Sequence, residues 1–248
     1  MLRPTAALVA PLAVALVLAG CGTDKSKKPG KSAATTATTQ SAPSTRATAP
    51  PVGSGPTTCL RVPKPKPKPT QRLPKPTLTL SPSHAWTAVL ETSCGNIAIA
   101  LDVKQAPRTA ASFAYLARRG FYDGLTFHRI VPGFVVQGGD PQGTGQGGPG
   151  YSVVEAPPRS TRYTRGVVAM AKTEIEDPGT SGSQFFIVTG PDAQLPPDYA
   201  VVGKVSSGLD AVDRIATEPT DQGNPDPARR EQPASPVVIR RVTIAESR

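Results

Sequence analysis

Apolar residues fall along the chain in three regimes. They run almost unbroken over residues 6–18, nearly vanish over 22–58, and recur with short periods from Trp86 onward. In the last regime, residues 86–92 and 96–101 are two β-type runs around Cys94 and Gly95, which is a hairpin signal. Residues 107–119 carry Phe113 and Leu116 three apart with small Ala between them. They end in a basic turn before Gly120, so they predict a helix with its stop. Leu209, Val212 and Ile215 predict a second, short helix. Further strands are expected over residues 126–131, 134–137, 166–171, 184–189, 200–205 and 237–245. Such a succession of β segments with two helices predicts a closed β-barrel, or a sandwich, with the helices as plugs.

The first regime reads as a targeting segment. Arg3 precedes the apolar run, which is short for a bilayer span and has the length of a signal-peptide core. Leu18-Ala19-Gly20-Cys21 then resembles the bacterial lipobox, in which the Cys thiol is diacylated and becomes the new N-terminus. An ordinary secretory signal that happens to contain a Cys is the alternative. Residues 1–20 are therefore expected to be a lipoprotein signal peptide, with Cys21 the lipid acceptor. The mature protein would be extracytoplasmic, held on the bacterial cell membrane by two or three acyl chains that each add about 0.8 kcal/mol per buried methylene.

Residues 21–85 read as a tether and 86–248 as one folded domain. The tether is mostly Thr, Ala, Ser, Pro and Lys, too poor in apolar surface to offset its ordering entropy. Within it, Pro63-Lys64-Pro65-Lys66-Pro67-Lys68-Pro69 forbids helix and favours a stiff polyproline II rod, expected to be a solvated spacer, with attraction of its Lys to anionic lipid heads or wall polymers as the alternative. With Cys21 taken by lipid, Cys59 and Cys94 remain as an even pair in an oxidising compartment, which favours a disulfide over two buried free thiols. Cys94 lies at the turn of the first hairpin, where an outward-facing side chain is expected.

Charge and composition narrow the chemistry. Residues 22–85 hold eight Lys and three Arg against Asp24, a net +10, whereas the charges of residues 86–248 nearly cancel. The excess belongs to the tether and the domain is close to neutral, so nucleic-acid binding is disfavoured. With only His84 and His128 and three scattered Cys, no zinc site can be assembled and no metal is expected. The nucleophile motifs of hydrolases are missing as well. Gly143-Thr144-Gly145-Gln146-Gly147-Gly148 matches a dinucleotide fingerprint, but Pro149 and Gly150 prevent a following helix, so it reads as a loop.

Two segments hold the remaining candidates. One runs Phe127-His128-Arg129-Ile130-Val131-Pro132-Gly133-Phe134-Val135-Val136-Gln137-Gly138-Gly139-Asp140-Pro141, the other Gly182-Ser183-Gln184-Phe185-Phe186-Ile187. Strand alternation puts Phe127, Arg129 and Val131 on one face, His128 on the other, and Gln184 with Phe186. A guanidinium, two amides and two phenyl rings could then line one shallow apolar cleft. For a single Phe, core packing is the ordinary reading. An Arg within so apolar a run is harder to dismiss, because burial without a partner is costly.

The two segments strongly resemble the signatures of the cyclophilin-type peptidyl-prolyl cis-trans isomerases, and the resemblance extends over about residues 88–245. It implies an eight-stranded antiparallel closed β-barrel capped by two α-helices, with the active groove on the outer face. By position it implies a catalytic Arg129, a proline pocket of Phe134, Val135, Phe186 and Leu195, groove amides Gln137 and Gln184, and substrate-backbone pairing at Ala171 and Lys172. Lys172, Gln194 and Tyr199 stand where Asn, Trp and His are common in eukaryotic relatives. Tyr199 keeps an aromatic wall and a hydroxyl donor.

The implied activity is rotation about X-Pro bonds of extracytoplasmic polypeptides, assisting their folding. It needs no cofactor, and a monomer suffices. The amide resists rotation by roughly 18 to 20 kcal/mol. A donor aimed at the prolyl nitrogen of the twisted state, here Arg129 with its guanidinium held by Gln137, lowers that barrier. The competing class is a non-catalytic module that grips proline-containing segments at the cell envelope. It would use the same pocket without needing Arg129.

Overall fold

The computed structural model describes residues 57–226 and 229–248. The signal peptide expected over residues 1–20, the acceptor Cys21 and the tether up to residue 56 lie outside the described residues. The elements follow in the order β1 (Ala85–Thr92), β2 (Gly95–Leu101), α1 (Pro107–Arg118), β3 (Leu125–Val131), β4 (Val135–Gly138), β5 (Val153–Val154), β6 (Val167–Met170), β7 (Thr180–Ser181), β8 (Phe185–Val188), β9 (Val201–Ser207), α2 (Leu209–Ala216) and β10 (Val237–Ser247). Eight strands close into an antiparallel barrel in the order β1-β10-β3-β4-β8-β6-β9-β2. The two-residue strands β5 and β7 pair by themselves outside it.

Apolar burial on both faces of the sheet explains why the signature strands read as unbroken apolar runs. Phe185 and Ile187 of β8 point into the barrel with Phe113, Tyr122, Phe127 and Ile130. Phe186 and Val188, alternating with them, belong to a second apolar cluster on the outer face. The interior is aromatic at one end: Phe113 stacks on Tyr122 with centroids 4.8 Å apart, and Phe185 meets both edge-on. Such edge-on and offset pairs add about 0.5–1.5 kcal/mol each beyond their buried area.

Both helices start without a side-chain cap of their own. In α1, Pro107 occupies the first turn, and the Glu155 carboxylate accepts from the amides of Arg108 and Thr109 at 3.2 and 2.8 Å. A loop residue 46 positions away thus does the work of a cap. α2 begins at Gly208, whose φ of +85° and contact with the Asn96 carbonyl admit no side chain.

Two local expectations fail for one physical reason each. The register shifts along β3, with Phe127 opposite Gly138 but Arg129 opposite Gln137, so His128 is the extra residue of a β-bulge. The bulge breaks alternation. Phe127 therefore faces the interior with Ile130, while Arg129 faces outward, rather than Phe127 and Arg129 sharing a face. Cys94, expected to face outward at its turn, is fully buried, because Cys59 lies over it in a disulfide and Leu60 donates to the Ser93 carbonyl at 2.8 Å.

The Lys-Pro segment is correspondingly not a solvated spacer. Residues 59, 62, 65, 68 and 71 are half-buried while their neighbours are exposed, the period of three expected of one face of a polyproline II helix laid on a surface. Lys68 fastens it: its amide donates to the Pro141 carbonyl, and its ammonium to the carbonyls of Gly120 and Phe121 at 3.2 and 2.8 Å. Burial lowers the Lys68 pKa, against a weaker opposing influence from Asp123. Farther on, Leu73 donates to Pro149, the Tyr115 hydroxyl to Pro74, and Leu80 is buried in the core. Isolated rods of this composition have nothing to pack on. A ready-made barrel surface supplies it.

Candidate active site

The bulge and the strand register set out a row of side chains across the outer face. Arg129 of β3 stands opposite Gln137 of β4, Gln137 opposite Phe186 of β8, and Phe186 opposite Ala169 of β6. Phe134, at the turn between β3 and β4, and Val135, Ala171, Leu195 and Tyr199 pack with Phe186 in the outer cluster. These expected pocket residues are brought together in one apolar patch. Its floor is closed by Tyr163, whose hydroxyl donates to the Tyr199 carbonyl at 2.7 Å and accepts from the Tyr199 amide at 2.9 Å. Burial pushes the Tyr163 pKa up to about 12, so the phenol stays protonated and able to donate.

The polar edge of the patch is a chain of amides. Gln137 Nε2 donates to Gln184 Oε1 at 3.0 Å, and Gln184 Nε2 donates to the carbonyls of Gly145 and Gly147. The glycine-rich stretch is a loop, as its prolines required, and it is wound around Asp140. The amides of Gln142, Thr144 and Gly145 donate to that carboxylate at 2.7, 2.9 and 2.6 Å. Burial alone would raise the Asp140 pKa, yet the amide donors outweigh it and hold the carboxyl below its ordinary value.

Arg129 is held differently from expectation. Its Nε donates to the Glu231 carboxylate at 2.5 Å, while Gln137 turns to Gln184 instead of to the guanidinium. Glu231 lies in the loop between α2 and β10, and its own carbonyl accepts from the amide of Ile130 at 2.7 Å. Nothing in the sequence flagged it, because it is 102 residues from Arg129 in a loop without periodicity. Among the described residues, no group of three or more His, Cys, Asp or Glu is placed to hold a metal ion.

Residues 87–244 match the family model described as cyclophilin type peptidyl-prolyl cis-trans isomerase/CLD. The chain belongs to this family. As a cyclophilin it is a peptidyl-prolyl cis-trans isomerase, and curated isomerases resemble it over most of their own length. Peptidyl-prolyl cis-trans isomerase A of Mycobacterium tuberculosis is 36% identical over 189 residues, covering 68% of this chain and 97% of the relative. Peptidyl-prolyl cis-trans isomerase B of Bacillus subtilis is 51% identical over 106 residues, covering 42% of this chain and 72% of the relative. The crystal structure of a Cryptosporidium parvum cyclophilin-type isomerase superposes with a TM-score of 0.58 at 30% identity, over 64% of this chain and 97% of the other. A second structure of that protein, in the presence of the dipeptide Ala-Pro, gives 0.57 at 31% identity, over 64% of this chain and 98% of the other.

Around the cyclophilin patch, the three departures from the eukaryotic pattern have distinct places. Tyr199 meets Phe186 edge-on at 5.6 Å and so forms part of the apolar wall. The Lys172 ammonium sits 5.5 Å over the Tyr199 ring and donates to the carbonyls of Thr173 and Glu176. Gln194 is exposed, with a φ of +53° and its amide donating to Asp192, between the cluster residues Ala193 and Leu195.

Proposed function

We propose that this isomerase acts on X-Pro bonds of extracytoplasmic proteins and assists their folding, at a bacterial membrane to which a lipid on Cys21 fastens it. Arg129 is the donor to the prolyl nitrogen. Phe134, Phe186 and Leu195 clamp the pyrrolidine ring, with Val135 and Tyr199 completing the wall, so that the preceding carbonyl turns. Gln137 and Gln184 line the groove beside the ring, and Ala171 and Lys172 offer main-chain groups to the substrate backbone. Rotation needs no nucleophile. In the twisted state the nitrogen regains its lone pair, and a cation fixed at that point stabilises the transition state more than the planar amide.

The observation that carries this assignment is the outward-facing guanidinium in cross-strand register with Gln137 and Phe186, at the edge of the apolar patch. Arg129→Ala is expected to lower kcat/KM on a short X-Pro peptide at least tenfold, about 1.4 kcal/mol of transition-state stabilisation, with the fold retained. A wild-type protein that binds the peptide without changing its exchange rate would favour a binding module instead. The anchor is tested separately. Cys21→Ser is expected to release the protein from the membrane fraction at all salt concentrations, and retention of the variant on membranes would refute the lipid assignment.

A further inference from the structure

We propose that Arg72, contributed by the segment N-terminal to the barrel, is a specificity residue that favours proline-containing polypeptides with a carboxylate side chain near the proline. The proposal deepens the isomerase assignment of the adjoining site and rests on it. Next to the active-site amides Gln137 and Gln184 opens a groove of about 820 Å³. Ala171 and Lys172 line one part of it, and residues 70–72 line another. The family match begins only at residue 87, so this wall lies outside the matched domain.

The wall is fixed in place. Gln142 Nε2 donates to Thr70 Oγ1 at 3.0 Å, and the amides of Lys68 and Leu73, on either side, donate to the carbonyls of Pro141 and Pro149 at 2.8 Å. Backbone approaches backbone so closely that a Cβ on Gly150, at φ +85°, would lie 2.7 Å from the Arg72 Cα. The Arg72 side chain, by contrast, is exposed and makes no hydrogen bond or ion pair with any described residue.

The charge facing the groove is positive on balance. Lys172 is held by carbonyl oxygens rather than by a carboxylate, so its charge is not neutralised. Glu176, the acidic side chain in the lining, is turned back onto the amide and hydroxyl of Thr173. Glu174 and Asp177 of the same loop do not line the groove. Two cations, one of them without a partner among the described residues, lie within the reach of a peptide whose proline sits on the outer cluster. An acidic side chain on that peptide completes the pairing.

The test uses the full chain and a peptide series carrying Glu, Gln or Lys two or three residues from the proline on either side. Exchange and binding are both read by NMR. The wild type is expected to prefer Glu over Lys at one of these positions about threefold, as for an exposed ion pair, with the preference lost at 1 M salt. Arg72→Glu should reverse the preference, and Arg72→Gln should erase the difference between Glu and Gln. A wild type indifferent to these charges, or a preference that survives Arg72→Glu, overturns the proposal. If the charge preference appears in binding while no peptide is isomerised, the proposal for Arg72 stands and the isomerase assignment falls.

Discussion

Glu231 uses one contact, to Nε of Arg129, and thereby leaves the terminal nitrogens of the guanidinium to donate elsewhere. With Arg129 as the proposed donor, Glu231 would act through it as a positioning residue. Both side chains are more than a third exposed, so the pair is worth at most about 1 kcal/mol of orientation. Glu231→Ala is expected to lower kcat three- to fivefold with little change in KM. In an Arg129→Ala background the same substitution should change nothing further, which separates positioning from a general loss of structure. A fall in the double variant equal to that in the single one would exclude the role.

At the same scale, His128 is expected to contribute a pH dependence to stability. As the extra residue of the bulge it is 8% exposed, and burial lowers its pKa below 6.5. Arg129 acts in the same direction, while Asp140 and the Thr126 backbone oppose without reversing the shift. The unfolded chain then binds more protons than the folded one between the lowered value and 6.5. The contribution of His128 to stability is therefore expected to be full above about pH 6.5 and to decline as the pH falls through that window. Thermal unfolding of the wild type between pH 7.5 and 5 should show the decline, and His128→Gln should flatten it. An unchanged slope in the variant would assign the effect elsewhere.

At the scale of elements, what the sequence revealed and what it concealed divide by range. The helices over Phe113–Leu116 and Leu209–Ile215, and the strands bearing the site, were legible because each carries its own local period or propensity. Strand alternation already suggested one cleft for Phe134 and Phe186, but that Val135, Leu195 and Tyr199 join them was accessible only through the family resemblance, since these residues come from β4, β8 and two loops. The bulge at His128 was hidden because one inserted residue leaves no compositional mark. β5 and β7 were hidden because two residues cannot display alternation. The docked Lys-Pro segment was read as a spacer because its contacts are made by backbone groups and by every third side chain, a pattern invisible without the surface beneath.

For the molecule as a whole, the disulfide between Cys59 and Cys94 closes a separation of 35 residues and fastens that segment to the first hairpin. In the chain-entropy model such a closure is worth about 4 kcal/mol. Reduction is expected to speed amide hydrogen exchange at Leu60, Lys68 and Leu73, whose acceptors lie on the barrel, while the amides of β8 keep their protection. Uniform loss of protection across both sets would show that segment and barrel unfold as one unit.

The row from Arg129 to Ala169 lies on the outside of a barrel that has no open edge. With its proline seated at the proposed site, a polypeptide would lie across this enzyme rather than enter it. No chain end has to be threaded and no lid has to lift, so a proline deep within a long polypeptide, or in a cyclic one, is as accessible as one near a terminus. Encounter with a polypeptide substrate would then be limited by whether the proline stands proud of its own surroundings. The catalyst would in this respect be a workbench, with the selection of what is worked on left to the features along its rim.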